Sequence, residues 1–179
     1  FDRSRHYDII VIPTKSNSGV ALQRVIEESR GRVIPEDSRV VLVDENTPDA
    51  ELSAVLEDKT HTPVLIYMQS AQTQDGNLST AYQPIVHLGR LGFDFAKHNG
   101  LMILTAGDGK RNYPMIPAIG YLNKGILPCI NGEANVVQAI RTAMQFWQPK
   151  THGFLVMSTD RLIAVTQKIS QLDEHDFVL

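Results

Sequence analysis

The residues best placed for chemistry are hydroxyls and amides at a turn. Thr14-Lys-Ser-Asn-Ser-Gly19 leads from an apolar run into a helical pattern. Backbone N–H groups at a helix start, with the hydroxyls of Thr14, Ser16 and Ser18, the amide of Asn17 and the unhindered backbone of Gly19, can cradle a phosphate. Thr105 closes a later apolar run, LMILT, and adds a hydroxyl to the same hypothetical anion site if both runs are strands of one parallel sheet. The same residue types also serve helix capping. Neither this stretch nor GDGK at 107–110 has the spacing of a Walker A loop.

Other candidates point away from catalysis. Cys129, in LPCI, reads as a small core residue at a strand end more than as a nucleophile. His87 and His98 are eleven positions apart, and His61, His152 and His175 are scattered, so no metal is expected. Asp44 and Glu45 end a strand pattern, but no nucleophile, base and orienting group can be assembled around them or around Cys129. Asp108, Lys110 and Arg111 read as solvated charges. The expectation is a protein that is not an enzyme and has no cofactor.

The elements that position these groups alternate. YDIIVIP at 7–13 is β-branched and apolar throughout, as a strand buried on both faces should be. A helix over 20–29 follows, ended by Gly31. SRVVLVDE at 38–45 is a second strand, and Thr47 as N-cap with Pro48 at the first helical position opens a second helix. TPVLIYMQS at 62–70 is a third strand, followed by a polar loop and a helix over 81–98 closed by Gly100. LMILTAG at 101–107 and ILPCI at 126–130 supply the fourth and fifth strands, with a helix distorted by Pro114, Pro117 and Gly120 between them and a fifth helix over 133–147. This pattern predicts a three-layer, doubly wound α/β sandwich in the flavodoxin-like order 2-1-3-4-5. The domain is expected to span 1–149. Residues 150–179 form a C-terminal extension, a short strand at HGFLVMS and a helix from about Asp160, packed on the domain or leading to a further effector domain.

The chain has 179 residues, 42% hydrophobic and 21% charged, which suffices for one domain with a sizeable core. A net charge of -3 does not advertise nucleic acid or an anionic membrane as a partner, and no apolar run reaches the roughly 18 residues of a membrane span. The single cysteine fits a reducing, cytoplasmic compartment. A chain opening on Phe1 is expected to be a piece of a longer protein.

The stretch from 101 to 147, with Thr105 closing one strand and GILP before a helix containing VVQAIRTAM, resembles the last third of a response-regulator receiver domain. That resemblance implies a two-component signalling fold with an acidic pair after strand one, a phosphoacceptor aspartate after strand three, a hydroxyl after strand four and a lysine after strand five, around Mg2+. Here those places hold Pro13 and Thr14, Met68, Thr105 and Cys129, so only the hydroxyl is kept. The resemblance is thus to a pseudo-receiver. It implies a phosphorylation-independent signalling domain of a larger bacterial regulator, controlling transcription by contact with other signalling proteins or an effector domain on the same chain. It also implies homodimerisation through a face including Tyr113, Tyr121, Ile126, Val136 and Arg141. The competing expectation is a sensor of a nucleotide or phosphorylated metabolite held at residues 14–19 and Thr105.

Overall fold

The computed structural model describes residues 6–69, 77–105, 123–146 and 153–159. Five parallel strands form one sheet: β1 (Ile9–Lys15), β2 (Ser38–Val43), β3 (Thr62–Gln69), β4 (Asn99–Leu104) and β5 (Gly153–Ser158). Helices α1 (Gly19–Glu28), α2 (Asp49–Glu57), α3 (Asn77–Arg90) and α4 (Asn135–Phe146) cover it on both faces. The chain is therefore the doubly wound α/β sandwich that its pattern predicts.

The layering follows from the handedness of parallel crossovers. The β1–α1–β2 unit runs one way along the sheet, whereas β2–α2–β3 and β3–α3–β4 run the other way, so α1 lies on the opposite face from α2 and α3. Leu22 and Ile26 of α1 pack with Ile10, Ile12, Val64 and Ile66, and with Val136 and Ile140 of α4. Leu52 and Val55 of α2 and Leu88 of α3 pack with Ile9, Val11, Leu65 and Met102. Successive residues of β1 therefore feed alternate cores, which is why its apolar run is unbroken.

Neighbours in the sheet differ from the expected order. The strand order is β2-β3-β1-β4-β5: β3 pairs with both β2 and β1. β3 is buried along nearly its whole length, whereas β2 has an exposed Arg39 and half-buried Val40, Val41 and Leu42, the profile of an edge strand. Pro13 also shapes the centre. It has no N–H to give, and the β1–β4 ladder stops at Val11 opposite Met102. Its carbonyl accepts instead from the backbone N–H and the hydroxyl of Thr105.

Several boundaries move. Residues 126–130 do not form a strand: a 3-10 turn at Lys124–Ile126 leads into a tight loop with an antiparallel bridge between Pro128 and Ala134. Gly132 turns that loop at φ +79° and Ile130 stands fully exposed. The fifth strand is Gly153–Ser158, paired along its whole length with β4, so the sheet runs past the expected boundary at 149. The third helix starts and ends earlier than expected. Gly92, at φ +84°, turns the chain after it, and Gly100 lies inside β4. Pro48 stands at the N-cap of α2, because the Thr47 hydroxyl is spent on a turn with Asp44. The distorted segment before Asn123 and the C-terminal helix lie outside the described residues.

Gly100 is required by packing. It sits directly opposite Phe154, and a Cβ there would overlap that ring, which is held in turn against Phe93 and Phe95. Gly100→Val should therefore destabilise the fold by about 1–3 kcal/mol, the usual cost of overpacking. Urea unfolding of the single variants and of Gly100→Val with Phe154→Ala should show a coupling that makes the double variant more stable than the two single effects added.

Candidate functional site

All five strands are parallel, so their carboxyl ends lie along one edge of the sheet, where ligands bind in folds of this class. That edge holds two polar regions of different character.

The first lies at the ends of β1 and β4 and is closed. Thr14 and Thr105 are fully buried. The side-chain amide of Asn123 donates to the Thr14 hydroxyl at 2.8 Å and to the Thr105 carbonyl at 3.0 Å, and its oxygen accepts from the Gly125 N–H. The Thr105 hydroxyl gives its proton to the Pro13 carbonyl. Asn135 extends the network by donating to the Lys124 carbonyl and accepting from the Cys129 thiol. The Thr14 and Thr105 hydroxyls are thus bonded within the protein, where they tie β1 and β4 to the loop before α4.

Residues Ser16–Ser18 form one 3-10 turn, and the Ser18 hydroxyl is bonded to the Asn17 side chain. A Cβ on Gly19 would overlap the Met68 side chain, so that glycine permits close helix-on-sheet packing, with Met68 filling the gap. Of the residues compared above with the receiver pattern, Pro13, Thr14 and Thr105 meet at the closed cluster, Met68 covers α1, and Cys129 is half-buried in the loop. Burial, reinforced by the Glu133 charge, pushes the Cys129 thiol up, away from the thiolate a nucleophile needs.

The expected interaction face is also dispersed. Val136 is fully buried in the core and Ile126 packs against it, because the apolar stripe of α4 faces the sheet. Arg141 is held by Glu133, which accepts from its Nε at 3.1 Å. Tyr113 and Tyr121 lie outside the described residues.

The second region is a cavity of about 350 Å3 at the ends of β2 and β3, between the start of α2 and the C-terminal half of α3. Asp44, Glu45 and Asp49 line one side, Tyr67 and Gln69 the floor, and Gln83, His87 and Arg90 the other side. Asp44 shapes its rim: the Asn46 N–H and the Thr47 hydroxyl both donate to Asp44 Oδ1. Across the cavity His87 Nε2 lies 3.0 Å from Asp49 Oδ1, and Arg90 approaches the same oxygen at 3.7 Å. A carboxylate only accepts, so Nε2 carries the proton and Nδ1 is left to accept from the Tyr67 hydroxyl, 3.4 Å away. Burial first, and the Asp49 charge second, raise the Tyr67 pKa, which keeps this phenol a donor.

Gln69 is the least expected member. α3 contains Pro84, which cannot give an N–H to the carbonyl four residues back, that of Thr80. The Gln69 Nε2 donates to that carbonyl at 2.9 Å. This contact fixes the amide's orientation and leaves Oε1 buried with no hydrogen-bond partner among the described residues, on a residue only 4% exposed. A buried acceptor of this kind ordinarily has a partner.

Of the cavity-lining residues, Met68 alone was among the anticipated positions, as the place where a receiver keeps its phosphoacceptor. The sequence pattern gives His87 no carboxylate partner; the partner that the fold supplies, Asp49, is 38 residues away. Pro84 within a helical pattern was the one local signal that a carbonyl in α3 needs an outside donor. Among the described residues, no three His, Cys, Asp or Glu side chains are grouped to hold a metal, and no helix is long and apolar enough to cross a membrane.

No family model matches the chain, and neither a curated protein nor a solved structure matches it.

Two outcomes follow from this geometry. Asn123→Ala leaves the Gly125 N–H and the Thr105 carbonyl without their partner and should cost at least about 1–3 kcal/mol in urea unfolding. Asp49 is held below the ordinary carboxylate range, chiefly by its hydrogen bond to His87 and then by Arg90. Its stabilising contribution is therefore present above the unfolded-state carboxyl pKa and is lost as pH falls through the folded-state value. His87→Leu should bring the Asp49 midpoint back towards the ordinary value in a carboxyl-detected NMR titration.

Proposed function

We propose that this chain is a ligand-sensing regulatory domain that holds a small polar molecule at the carboxyl edge of β2 and β3. The observation that carries this reading is a cavity lined by polar and ionisable side chains at the ends of β2 and β3, next to a Gln69 amide oxygen that is buried with no hydrogen-bond partner among the described residues. The cavity lies on the carboxyl edge of the strands, the edge at which doubly wound sheets bind ligands. The cavity lies between α2 and α3, and the Asp49–His87–Tyr67 chain joins both helices to the sheet across it. A ligand that favours one spacing of these helices shifts their equilibrium by its differential affinity for the two arrangements. The signal is carried without aspartyl phosphorylation: Pro13 and Thr14, Met68, and Thr105 stand where a phosphorylatable receiver keeps its carboxylates and hydroxyl.

A second reading, signalling by protein contact and homodimerisation, is favoured by two apolar residues one turn apart on α3, Tyr82 and Val86, at 66% and 45% exposure. The two readings are compatible, since α3 also carries His87 and Arg90.

A thermal-shift screen with amines, nucleotides, phosphorylated metabolites and flavin mononucleotide tests the ligand reading. A specific ligand at ~100 times its dissociation constant should stabilise the fold by roughly 2.7 kcal/mol. Gln83→Leu and Arg90→Met should reduce that shift; a shift indifferent to both variants would place binding elsewhere. Sedimentation of the wild type and Tyr82→Lys tests the second reading, which requires a dimer that the variant disrupts.

A further inference from the structure

We propose that the chain pairs with a second copy of itself through the open edge of β2, antiparallel and about a two-fold axis. The phase of the β2–β3 ladder decides which backbone groups are open. Thr62 gives its N–H to the Asp37 carbonyl, and in a parallel ladder every second residue then turns both backbone groups to the neighbouring strand. Arg39, Val41 and Val43 face β3 in this way, so Ser38, Val40 and Leu42 face outward. The outward N–H of Ser38 is taken by the Pro35 carbonyl, and that of Asp44, next in the series, by the Thr47 hydroxyl. Between these two stops, the N–H and carbonyl groups of Val40 and Leu42 have no partner among the described residues. Sheet edges are ordinarily blunted by a proline, a bulge or several charges. β2 has no proline, its register with β3 is unbroken from Ser38 to Val43, and Arg39 is its one charged residue.

Two features identify the occupant. The first is the hydrogen-bond inventory. Antiparallel strands exchange both bonds between residues that face each other. A register of Val40 against Leu42, with the axis at Val41, pairs every open group of one copy with an open group of the other. The groups already spent at Ser38 and Asp44 fall just outside it. The second feature is charge. Exposed Arg39 stands at the start of the strand, and Asp44 and exposed Glu45 follow its end. Antiparallel pairing brings Arg39 of each copy to the acidic end of the other, within diagonal reach of Glu45; parallel pairing would set arginine beside arginine. A foreign strand would have to supply both charges, whereas a second copy carries them. The contact also closes on itself, because each copy uses up the edge of the other. Apolar flank is at hand: Gly19 of α1 closes on Leu42, and Val20 beside it is 71% exposed. This pairing does not depend on the ligand reading, and its surface is distinct from Tyr82 and Val86, because α3 packs over β1 and β4.

The test uses the whole chain, in sedimentation velocity over a concentration series with amide hydrogen exchange on the same samples. A dimer should form as concentration rises, and the Val40 and Leu42 amides should pass from fast exchange to protection in step with it. Val40→Pro removes an outward N–H and spares the β2–β3 ladder, so it should leave a folded monomer. Arg39→Glu, at an exposed position, should weaken the dimer by about tenfold, since two symmetry-related charge pairs are reversed, and adding Glu45→Arg should restore it. The charge exchange decides the matter even if the proline variant does not fold. A chain that stays monomeric throughout, or a dimer in which the Val40 and Leu42 amides still exchange fast, would overturn the pairing. A dimer broken by Tyr82→Lys and indifferent to Arg39→Glu would overturn it in favour of the α3 face. Loss through Arg39→Glu that Glu45→Arg does not repair would overturn the antiparallel register.

Discussion

The structure depends on the burial of β1 on both sides. Ile9, Ile10, Val11 and Ile12 are completely shielded from solvent, and they alternate between two separate cores. Fully burying each such side chain contributes about 1.5–3 kcal/mol, so leaving either face of this strand open would forfeit several times that. A helical layer is therefore needed on each face. Right-handed crossovers meet that need with α1 on one side and α2 and α3 on the other. Tyr7 reinforces the arrangement just before the strand, where its buried hydroxyl donates to the Ala143 carbonyl of α4.

A sheet built this way brings every strand end to one edge, and what happens there depends on whether the polar groups find partners inside the protein. Around β1 and β4 they do. Asn123 supplies donors and an acceptor to three neighbours at once, and the cluster becomes a tie between sheet and loop. Around β2 and β3 the accounting does not close. A proline in α3 takes one donor away, Gln69 replaces it, and the other end of the Gln69 amide is left over. The difference between a structural cluster and a candidate site is thus one of hydrogen-bond inventory more than of residue type.

Much of the architecture was legible from local pattern. The alternation of apolar runs with amphipathic stretches identified all four observed helices and all five observed strands, including HGFLVMS. Strand order was not legible, because SRVVLV and TPVLIY have nearly the same composition and only pairing decides which is the edge. ILPCI looks like a strand, but Pro128 and the Gly132 turn close it into a loop, and β5 takes the place beside β4. Gly100 looked like a helix stop because its true partner, Phe154, is 54 positions away in the chain.

The sequence by itself determined the class of fold, the two-sided burial of the central strand and the helical layers, because periodicity and burial are properties of neighbouring residues. It also determined that hydroxyls and amides would gather at the strand ends. Tertiary structure alone decided what those groups do. Thr14 and Thr105 became internal partners because Asn123, far from Thr14 in sequence, is folded between them. Asp49, Tyr67, Gln69 and His87 came to line one cavity because α2 and α3 lean on the same edge of the sheet. Hydrogen bonds are satisfied in space, and a one-dimensional pattern does not say which donors are already spent.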